Sequence, residues 1–382
     1  MKLSLIHHQP SWTLQSSHVD AALTRLGGQL GPVRFRLGRR TVDPFSVASW
    51  CGEPGTERIQ PPLLRPLRGD FFCMPFGSSA EDWRSEAHPP HGECANGPWK
   101  ATAPINRDGV TKLTASFRTK IRPGKLTKTI RLIDGHSVIY QTHTLQGYSG
   151  PMSLGHHPML DFIRNGTGHI STSKFRFGQV FPLPFENPAK GGYQALKPAA
   201  TFRRLDSVPA LDGSLTDCST YPVREGFTDF IYIHHFDRPD FAWTTVTFPE
   251  QGFLWFSLKD PRLLACTAFW HSHGGRHYAP WNGRHRGVLG IEDLTSYFCL
   301  GLADSARKNA LNRRGIPTVL QLNPRKPLVI PYIMGVAAIP KGFDRVLSAH
   351  PAGSSLTFRS HSGKSTICQV DLSFLKPATI TP

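Results

Sequence analysis

The chain is long, strongly basic and rich in glycine and proline. Its 382 residues include 44 Lys or Arg and 27 Asp or Glu, which gives a formal net charge of +17. The 35 glycines and 33 prolines among these residues together exceed the average combined share of these two residue types, which is roughly 12%. Hydrophobic residues make up 39% and charged residues 19%. This composition excludes a wholly disordered chain and favours a turn-rich β protein over a helical one. The length allows one large domain or two.

The charge and the cysteines limit the partners that we expect. A cationic surface attracts anions, including nucleic acids, but a charge excess alone is more typical of a solvated surface, so nucleic acid is not favoured as a partner. Seven cysteines are scattered without any CxxC, which argues against a disulfide framework and a zinc ribbon. We therefore expect reduced, buried thiols at Cys51, Cys73, Cys94, Cys218, Cys266, Cys299 and Cys368.

The first residues, MKLSLIHHQPSW, contain only a very short apolar run. This run is too short and too polar for the core of a signal peptide. No stretch of 18 apolar residues occurs in the sequence, so no transmembrane helix is expected. The sequence thus predicts a cytoplasmic protein that does not span a membrane.

The elements predicted in chain order are nearly all β-strands. Two short strands flank the turn at Gly27 and Gly28, and alternation of arginine with Phe35 and Leu37 predicts an exposed hairpin. Further strands are expected at residues 69–77, in several segments between 111 and 148, and at 230–233, 242–248 and 252–258. Basic residues of the segment 111–148, including Lys128, are expected on its polar side.

One helix is predicted. Residues 303–312 have a helical composition, with Asp304 as the N-cap and Gly315 and Pro317 beyond the end. The fold class indicated by these elements is all-β.

The stretch from Trp270 to Glu292 carries the strongest functional signal. Its 23 residues include four histidines, three arginines, two tryptophans and five glycines. So many planar and polar side chains among glycines predict a recognition loop, followed by a strand that carries Glu292. Aromatic faces, bidentate donors and a carboxylate together are typical of a sugar site.

Two further segments place polar side chains on rigid backbone. Prolines and glycines surround His91, Glu93 and Asn96 in residues 88–99. His156 and His157 lie between Gly155 and Pro158. Such a histidine pair can present one ring to a ligand while the other ring packs inward, although a structural role is more common.

These segments resemble the motifs of the aldose 1-epimerase or galactose mutarotase-like superfamily. HGECANGPW at 91–99 resembles the family's H-G-x-x-R-N-x-x-W, with His91, Gly92, Asn96 and Trp99 at the same spacing. Residues 155–158 resemble the second histidine motif, and residues 290–292 resemble the strand that carries the family's glutamate. The resemblance implies a single domain over residues 1–382, a galactose mutarotase-like β-supersandwich with antiparallel sheets, very few short helices and a sugar-binding cleft.

The resemblance also implies an isomerase activity. Mutarotation removes the proton of the anomeric hydroxyl and protonates the ring oxygen, so that the ring opens and can close on the other face. One base and one acid, expected on opposite sides of the sugar, suffice without a metal or cofactor. By resemblance Glu292 is the base, His157 is the acid and His91 binds the sugar oxygens. The candidate substrate-binding residues are Asp70, Asn96, Asp229 and Arg276, with Trp281 stacking on the sugar.

The sequence departs from the family pattern in two places. Ala95 stands where the first motif usually has arginine, and the segment 74–78 lacks the arginine that often follows the preceding strand. These departures put the family's usual substrate, and any preference for a phosphosugar, in question. The sequence does not specify which sugar is bound.

The sequence also allows two other functions, of which the first uses the same residues. His271 and His273 form an HxH motif that, with His88, His91 and Glu93, could hold a metal as in a cupin-type oxygenase. A cupin places its glutamate a few residues after the HxH, however, and Glu292 lies 19 residues after His273. The other alternative is a non-catalytic protein that binds carbohydrate or a polyanion through its cationic surface.

Overall fold

The computed structural model describes residues 3–237 and 239–376. Within these residues the strands are β1 Ser4–Ile6, β2 Gln9–Gln15, β3 Val19–Thr24, β4 Leu30–Leu37, β5 Arg40–Val42, β6 Phe72–Cys73, β7 Lys100–Ala101, β8 Ile105–Arg107, β9 Val110–Thr119, β10 Gly124–Ile133, β11 Val138–Gln146, β12 Gly150–Met152, β13 Leu154–His156, β14 Met159–Asp161, β15 Gly168–Thr172, β16 Phe175–Val180, β17 Thr201–Phe202, β18 Val208–Pro209, β19 Leu215–Thr216, β20 Thr220–Tyr221, β21 Phe227–His235, β22 Ala242–Phe248, β23 Phe253–Lys259, β24 Cys266–His273, β25 Val288–Thr295, β26 Leu320–Leu322, β27 Leu328–Ala338, β28 Val346–Ala352, β29 Ser355–Ser360 and β30 Ser365–Gln369. The α-helices are α1 Gly92–Asn96, α2 Phe162–Asn165 and α3 Gly301–Ala306. Short 3-10 helices span Thr56–Arg58, Pro62–Leu64, Pro188–Lys190, Asn312–Arg314 and Leu372–Leu375.

Two large antiparallel sheets form the body of the protein. The larger sheet follows the order β20-β15-β22-β23-β27-β11-β10-β9-β7, and β8 also pairs with β9. The other follows β17-β16-β21-β24-β25-β13-β6, and β14 also pairs with β25. Strands β1 to β5 form a separate five-stranded sheet, and β28 to β30 form a three-stranded sheet. The predicted antiparallel β-sandwich with few short helices is therefore confirmed.

Apolar side chains cover both faces of the two sheets. The main core lies between them and includes Ile231, Trp255 and Ile291. The outer face of the larger sheet is covered by β28 to β30. The outer face of the eight-stranded sheet is covered by loops instead, and its cluster includes Phe230 and Trp270. Because β21 to β25 are buried on both faces, they are nearly continuous apolar runs, and the few charged side chains among them stand out.

The structure corrects three details of the predicted elements. Within the predicted strand at residues 69–77, only Phe72–Cys73 forms a regular strand, while Asp70 and Gly77 form isolated bridges with Leu30 and Leu300. Lys128 lies on the buried face of β10, where its Nζ donates to the carbonyl of Gly28 at 2.9 Å. The helix begins at Gly301 and ends at Ala306, with Asp304 in its first turn. It ends early because the amide of Asn309 donates to the carbonyls of Asp304 and Ser305, while its oxygen accepts from the next loop.

The expectation of free, buried thiols is confirmed for five of the seven cysteines, whereas Cys51 and Cys299 are partly exposed. All seven cysteines are free, and five of them are buried. No helix in the described ranges is long and apolar enough to cross a membrane.

Candidate functional site

A cleft of about 390 Å³ lies on the outer face of the eight-stranded sheet. Strand residues form its floor and the covering loops form its walls. The polar groups that reach it include His91, His157, Arg276 and Glu292, so four of the predicted site residues converge there. Trp281, a fifth, also lines the cleft. Its apolar walls include Leu63, Leu67, Phe71, Phe185, Phe230 and Trp270.

Glu292 and His157 touch each other at the floor of this cleft. Strands β13 and β14 both pair with β25, and His157 lies in the short connection between them, opposite Glu292. The carbonyl of Pro158 accepts from the backbone N–H of Ile291 at 2.8 Å and fixes this register. The His157 Nε2 and Glu292 Oε1 atoms are 3.1 Å apart. The two groups thus form one contiguous pair, which differs from the expected arrangement with a sugar between acid and base.

Burial shifts the pKa values of both groups towards their neutral forms. Burial raises the pKa of Glu292 well above its usual value, and the positive charge of Arg276 only partly opposes this shift. Burial lowers the pKa of His157 well below its usual value. Both shifts favour the neutral forms, in which one proton lies between the carboxyl group and the imidazole nitrogen. Such a pair can give a proton from one group and accept a proton on the other.

Aromatic rings fix the orientation of His157. The ring of Phe71 stacks on it with centroids 4.6 Å apart and an angle of 17° between the planes. Trp270 meets it edge to face at 5.8 Å. These contacts leave the imidazole little rotational freedom, and they exclude the water that would otherwise solvate its charged form.

His91 stands beside the pair on a strained turn. Its φ is 59°, and the next residue, Gly92, has a φ of 80°, with room for no side chain because a Cβ would lie 1.9 Å from the Met74 carbonyl oxygen. The His91 Nδ1 is 3.1 Å from the Cys73 Sγ, and its ring centroid is 5.3 Å from that of His157. Burial lowers the pKa of His91 to about 4, so this ring is neutral at pH 7. A thiol that donates to Nδ1 leaves the ring proton on Nε2, where it can be donated to a ligand oxygen.

Arg276 and Trp281 form one wall of the cleft. The Arg276 Nε donates to Glu186 Oε1 at 2.6 Å, and the Tyr278 hydroxyl donates to Glu186 Oε2 at 3.2 Å. The Arg276 guanidinium lies 4.8 Å from the Trp281 ring centroid, and the edge of Trp50 meets that ring at 4.9 Å. Since Arg276 covers the Trp281 ring, the tryptophan supports the arginine as well as the cleft wall.

The other three predicted substrate ligands do not reach the cleft. Asp70 is fully buried and accepts hydrogen bonds from Gln141, His156 and the His157 backbone. The Asn96 amide donates to the carbonyls at positions 90 and 92. Asp229 accepts from the backbone N–H groups at positions 195 and 196. Each is occupied by the protein's own groups, because each lies behind the strand or turn that faces the cleft.

The residues of the metal hypothesis are dispersed. His88 Nε2 bonds to Glu86, and Glu93 accepts from the backbone N–H groups of Lys120 and Ile121. His271 is buried, with neither ring nitrogen bonded. Across residues 3–237 and 239–376, no three His, Cys, Asp or Glu side chains are arranged to hold a metal ion.

Sequence reasoning missed several cleft residues. Glu186 belongs to the segment 163–222, which carries no motif, yet it pairs with Arg276 across 90 positions. Phe71, Phe185 and Phe230 lie in apolar runs whose composition only indicates a core. Trp270 is the first residue of the stretch 270–292, and the composition of that stretch already indicated a site there. Because Glu186 and Arg276 are 90 positions apart in the sequence, no local pattern indicates that they pair.

Comparison with known proteins identifies the fold. No protein-family profile and no curated protein matches the sequence. Among solved structures, a candidate aldose 1-epimerase from Escherichia coli K12 matches with a TM-score of 0.59 and 12% identity, over 87% of this chain and 100% of that chain. An aldose epimerase homologue from C. elegans matches with a TM-score of 0.55 and 10% identity, over 86% and 100%. A galactose mutarotase-like protein from Clostridium acetobutylicum gives 0.53 and 10%, over 88% and 98%. The fold expected from the three motifs is thereby confirmed.

Proposed function

We propose that this chain, which has the galactose mutarotase-like fold, is an aldose 1-epimerase that interconverts the anomers of a free sugar. The observation that carries the proposal is the contact between His157 Nε2 and Glu292 Oε1 at the floor of the cleft. The anomeric hydroxyl and the ring oxygen of an aldose are bonded to the same carbon. An acid and a base that lie side by side, as this pair does, can therefore reach both oxygens.

The chemistry follows from the single proton that the pair shares. When the sugar oxygens replace the direct contact, the reactive form is the one in which the shared proton lies on His157. The Glu292 carboxylate then takes the proton of the anomeric hydroxyl while the imidazolium of His157 protonates the ring oxygen. The bond between the anomeric carbon and the ring oxygen breaks, and an aldehyde forms. Rotation about the adjacent bond and the reverse proton transfers close the ring on either face. Each of the two groups contributes roughly 10²–10⁴-fold to the rate.

Three other groups support this step. His91 is neutral and beside the pair, so it can donate to a sugar oxygen without competing for the shared proton. Arg276 presents a cationic wall and lowers the cost of an ionised Glu292. The aromatic lining excludes bulk water, which strengthens these electrostatic interactions. The chemistry needs no cofactor.

The proposal is tested by measuring anomer exchange with NMR. A panel of neutral aldoses and uronic acids is equilibrated with the wild-type protein and with His157→Ala, and the exchange rate is compared with the spontaneous rate. His361→Ala is the control, because His361 is exposed and outside the cleft. Acceleration by the wild type and the control, lost in His157→Ala, supports the proposal and identifies the substrate class. Equal rates with and without protein for every sugar would contradict it.

A second candidate function is anion binding at a separate hollow. Arg176, Arg203 and Arg314 line a space of about 630 Å³ together with Phe177, over which the Arg314 guanidinium lies at 5.2 Å. Other arginines, such as Arg204 and Arg262, pair with a neighbouring carboxylate, whereas the described residues provide no carboxylate in the lining of this hollow. Three guanidinium groups around one hollow favour a polyanionic ligand.

Heparin binding over a salt series tests this second candidate. Replacing Arg176, Arg203 and Arg314 with glutamine should weaken binding and reduce the slope of affinity against salt concentration. The matched control replaces three exposed arginines elsewhere, Arg39, Arg118 and Arg359. If both triple variants weaken binding equally, the attraction comes from net charge and not from the hollow.

A further inference from the structure

An internal network of polar side chains lies directly beneath the His157–Glu292 pair. Successive residues of an extended chain point to opposite sides. While His157 and Glu292 face the cleft, their chain neighbours His156 and Asp293 face the core between the two sheets, and both are completely buried. The interior therefore has direct contact with the backbone that carries each member of the pair.

Asp70 binds the backbone at His157. Its Oδ1 accepts from the His157 backbone N–H at 3.0 Å, and this N–H is shared with the Phe71 carbonyl at 2.9 Å. Its Oδ2 accepts from His156 Nδ1 at 3.0 Å and from Gln141 Nε2 at 2.7 Å. Burial alone would raise the pKa of Asp70, but His156, Lys128 and Gln141 together hold that pKa below its usual value. A charged carboxylate thus fixes two successive residues.

Asp293 is the residue after Glu292, and side-chain donors hold its carboxylate. Its Oδ1 lies 2.6 Å from Lys259 Nζ and accepts from the Thr267 hydroxyl at 2.6 Å. Its Oδ2 accepts from the hydroxyls of Ser257 at 2.8 Å and Tyr332 at 2.7 Å. Four donors from three neighbouring strands therefore hold this carboxylate in place.

Tyr332 joins the two halves of the network. Its hydroxyl donates to Asp293, and its ring stacks on His156 with centroids 3.9 Å apart and an angle of 22°. The chain of contacts from Gln141 through Asp70, His156 and Tyr332 to Asp293 is continuous. Buried ionic groups can commonly be replaced by apolar side chains of similar volume without loss of stability. A requirement for stability alone therefore does not explain so extensive a polar network.

We propose that Asp70 and Asp293 are positioning residues, which set the separation of His157 Nε2 and Glu292 Oε1 by fixing the backbone next to each. The proposal rests on the acid and base roles of that pair. Neither carboxylate touches the substrate; each acts through its neighbour. A displacement of about 1 Å in a catalytic group can cost on the order of 100-fold in rate.

The test combines a spectroscopic signal with kinetics. The ring nitrogens of His156 and His157 are observed by ¹⁵N NMR in the sugar-free protein, with the His157 signals assigned by their loss in His157→Gln. Donation to Asp70 places the His156 proton on Nδ1. In Asp70→Asn this tautomer signal should be lost and the His157 signals should shift, while kcat falls about 100-fold and KM changes less than about threefold. Asp260→Asn is the control, because Asp260 is buried but bonds to Arg262 at the end of β23.

Tyr332→Phe provides a milder variant in case Asp70→Asn does not fold. It keeps the ring that stacks on His156 and removes only the hydroxyl that donates to Asp293. We expect kcat to fall about tenfold, as for other groups that orient reactive side chains. Folded variants with wild-type kcat and unchanged His157 signals would overturn the proposal. A wild type without any turnover would instead contradict the proposed function, and the NMR signals would still decide whether Asp70 positions His157.

Discussion

Replacing Arg276 with methionine tests the contribution of the cleft wall that Arg276 forms with Trp281. Arg276 is largely buried and Glu186 is almost completely so, with side-chain exposures of 18% and 3%. Methionine keeps most of the volume against the Trp281 ring but removes the charge. The change leaves the Glu186 carboxylate buried with one remaining donor, the Tyr278 hydroxyl at 3.2 Å.

The expected loss of stability follows from this unpaired carboxylate. Breaking a buried ion pair by removing one partner costs about 3–5 kcal/mol. Because Tyr278 remains and Arg276 is partly exposed, we expect the lower end, about 3 kcal/mol. Removing the charge as well, in Arg276→Met/Glu186→Gln, should recover all but about 1 kcal/mol, since the amide can be buried more cheaply than a carboxylate.

Chemical denaturation at pH 7 of the wild type, both single variants and the double variant measures this coupling. The reasoning would be refuted if Arg276→Met cost less than about 0.5 kcal/mol, or if the double variant were as unstable as the sum of the two single variants. In the same series the pKa of Glu292 should rise further without the charge of Arg276. The acidic limb of any pH–rate profile should then move to higher pH.

Three further predictions concern groups outside the cleft. Lys259→Met leaves Asp293 without its ammonium partner at 2.6 Å and should lower the free energy of unfolding by about 3 kcal/mol in denaturation. As a control, Lys112→Met at an exposed position should change it by less than about 0.5 kcal/mol. Equal effects of the two substitutions would refute the stabilising role of the buried pair. Burial raises the pKa of Asp229 to about 6, so the folded state binds this proton more tightly than the unfolded state does. The free energy of unfolding should therefore fall as pH rises between about 4 and 6. Asp229→Asn should flatten that fall, and an unchanged dependence of stability on pH would contradict the raised pKa. Gly92→Ala should lower the melting temperature far more than Gly135→Ala. Both glycines have positive φ, but only at Gly92 would a Cβ clash with the backbone, 1.9 Å from the Met74 carbonyl oxygen. Similar losses would show that the strain of the positive φ, and not this clash, determines the effect.

Alternation of apolar and polar residues, together with turn residues, predicted most of the fold. Lys128 and the helix were predicted incorrectly. The three strands between residues 110 and 146 and the hairpin around Gly38 follow from period-two patterns and glycine turns. Lys128 was misplaced because a lysine on a buried face is recognised only when its acceptor, the Gly28 carbonyl a hundred positions away, is known. The helix at residues 301–306 was misplaced because the side chain of Asn309 ends it earlier than its composition suggests.

The sequence indicated the His157–Glu292 pair more clearly than the other residues that line the cleft. Glu292 stood out as a carboxylate in an apolar strand, and His157 was marked by the proline after it. Asp70, Asn96 and Asp229 are equally polar, but their partners are backbone groups and buried side chains of distant segments. Whether a polar residue faces a cleft or lies behind it depends on strand register, which a single sequence specifies only weakly at irregular positions such as residues 69–77.

The most direct test of the central claim is to compare sugar binding and turnover in Glu292→Gln. Glutamine keeps the shape and can still contact His157 Nε2, but it cannot take a proton. For the sugar identified by anomer exchange, the catalysed rate should fall by at least about 100-fold, while the affinity, measured by calorimetry, stays within about tenfold of the wild type. Normal turnover in Glu292→Gln would contradict the assignment of this carboxylate as the base.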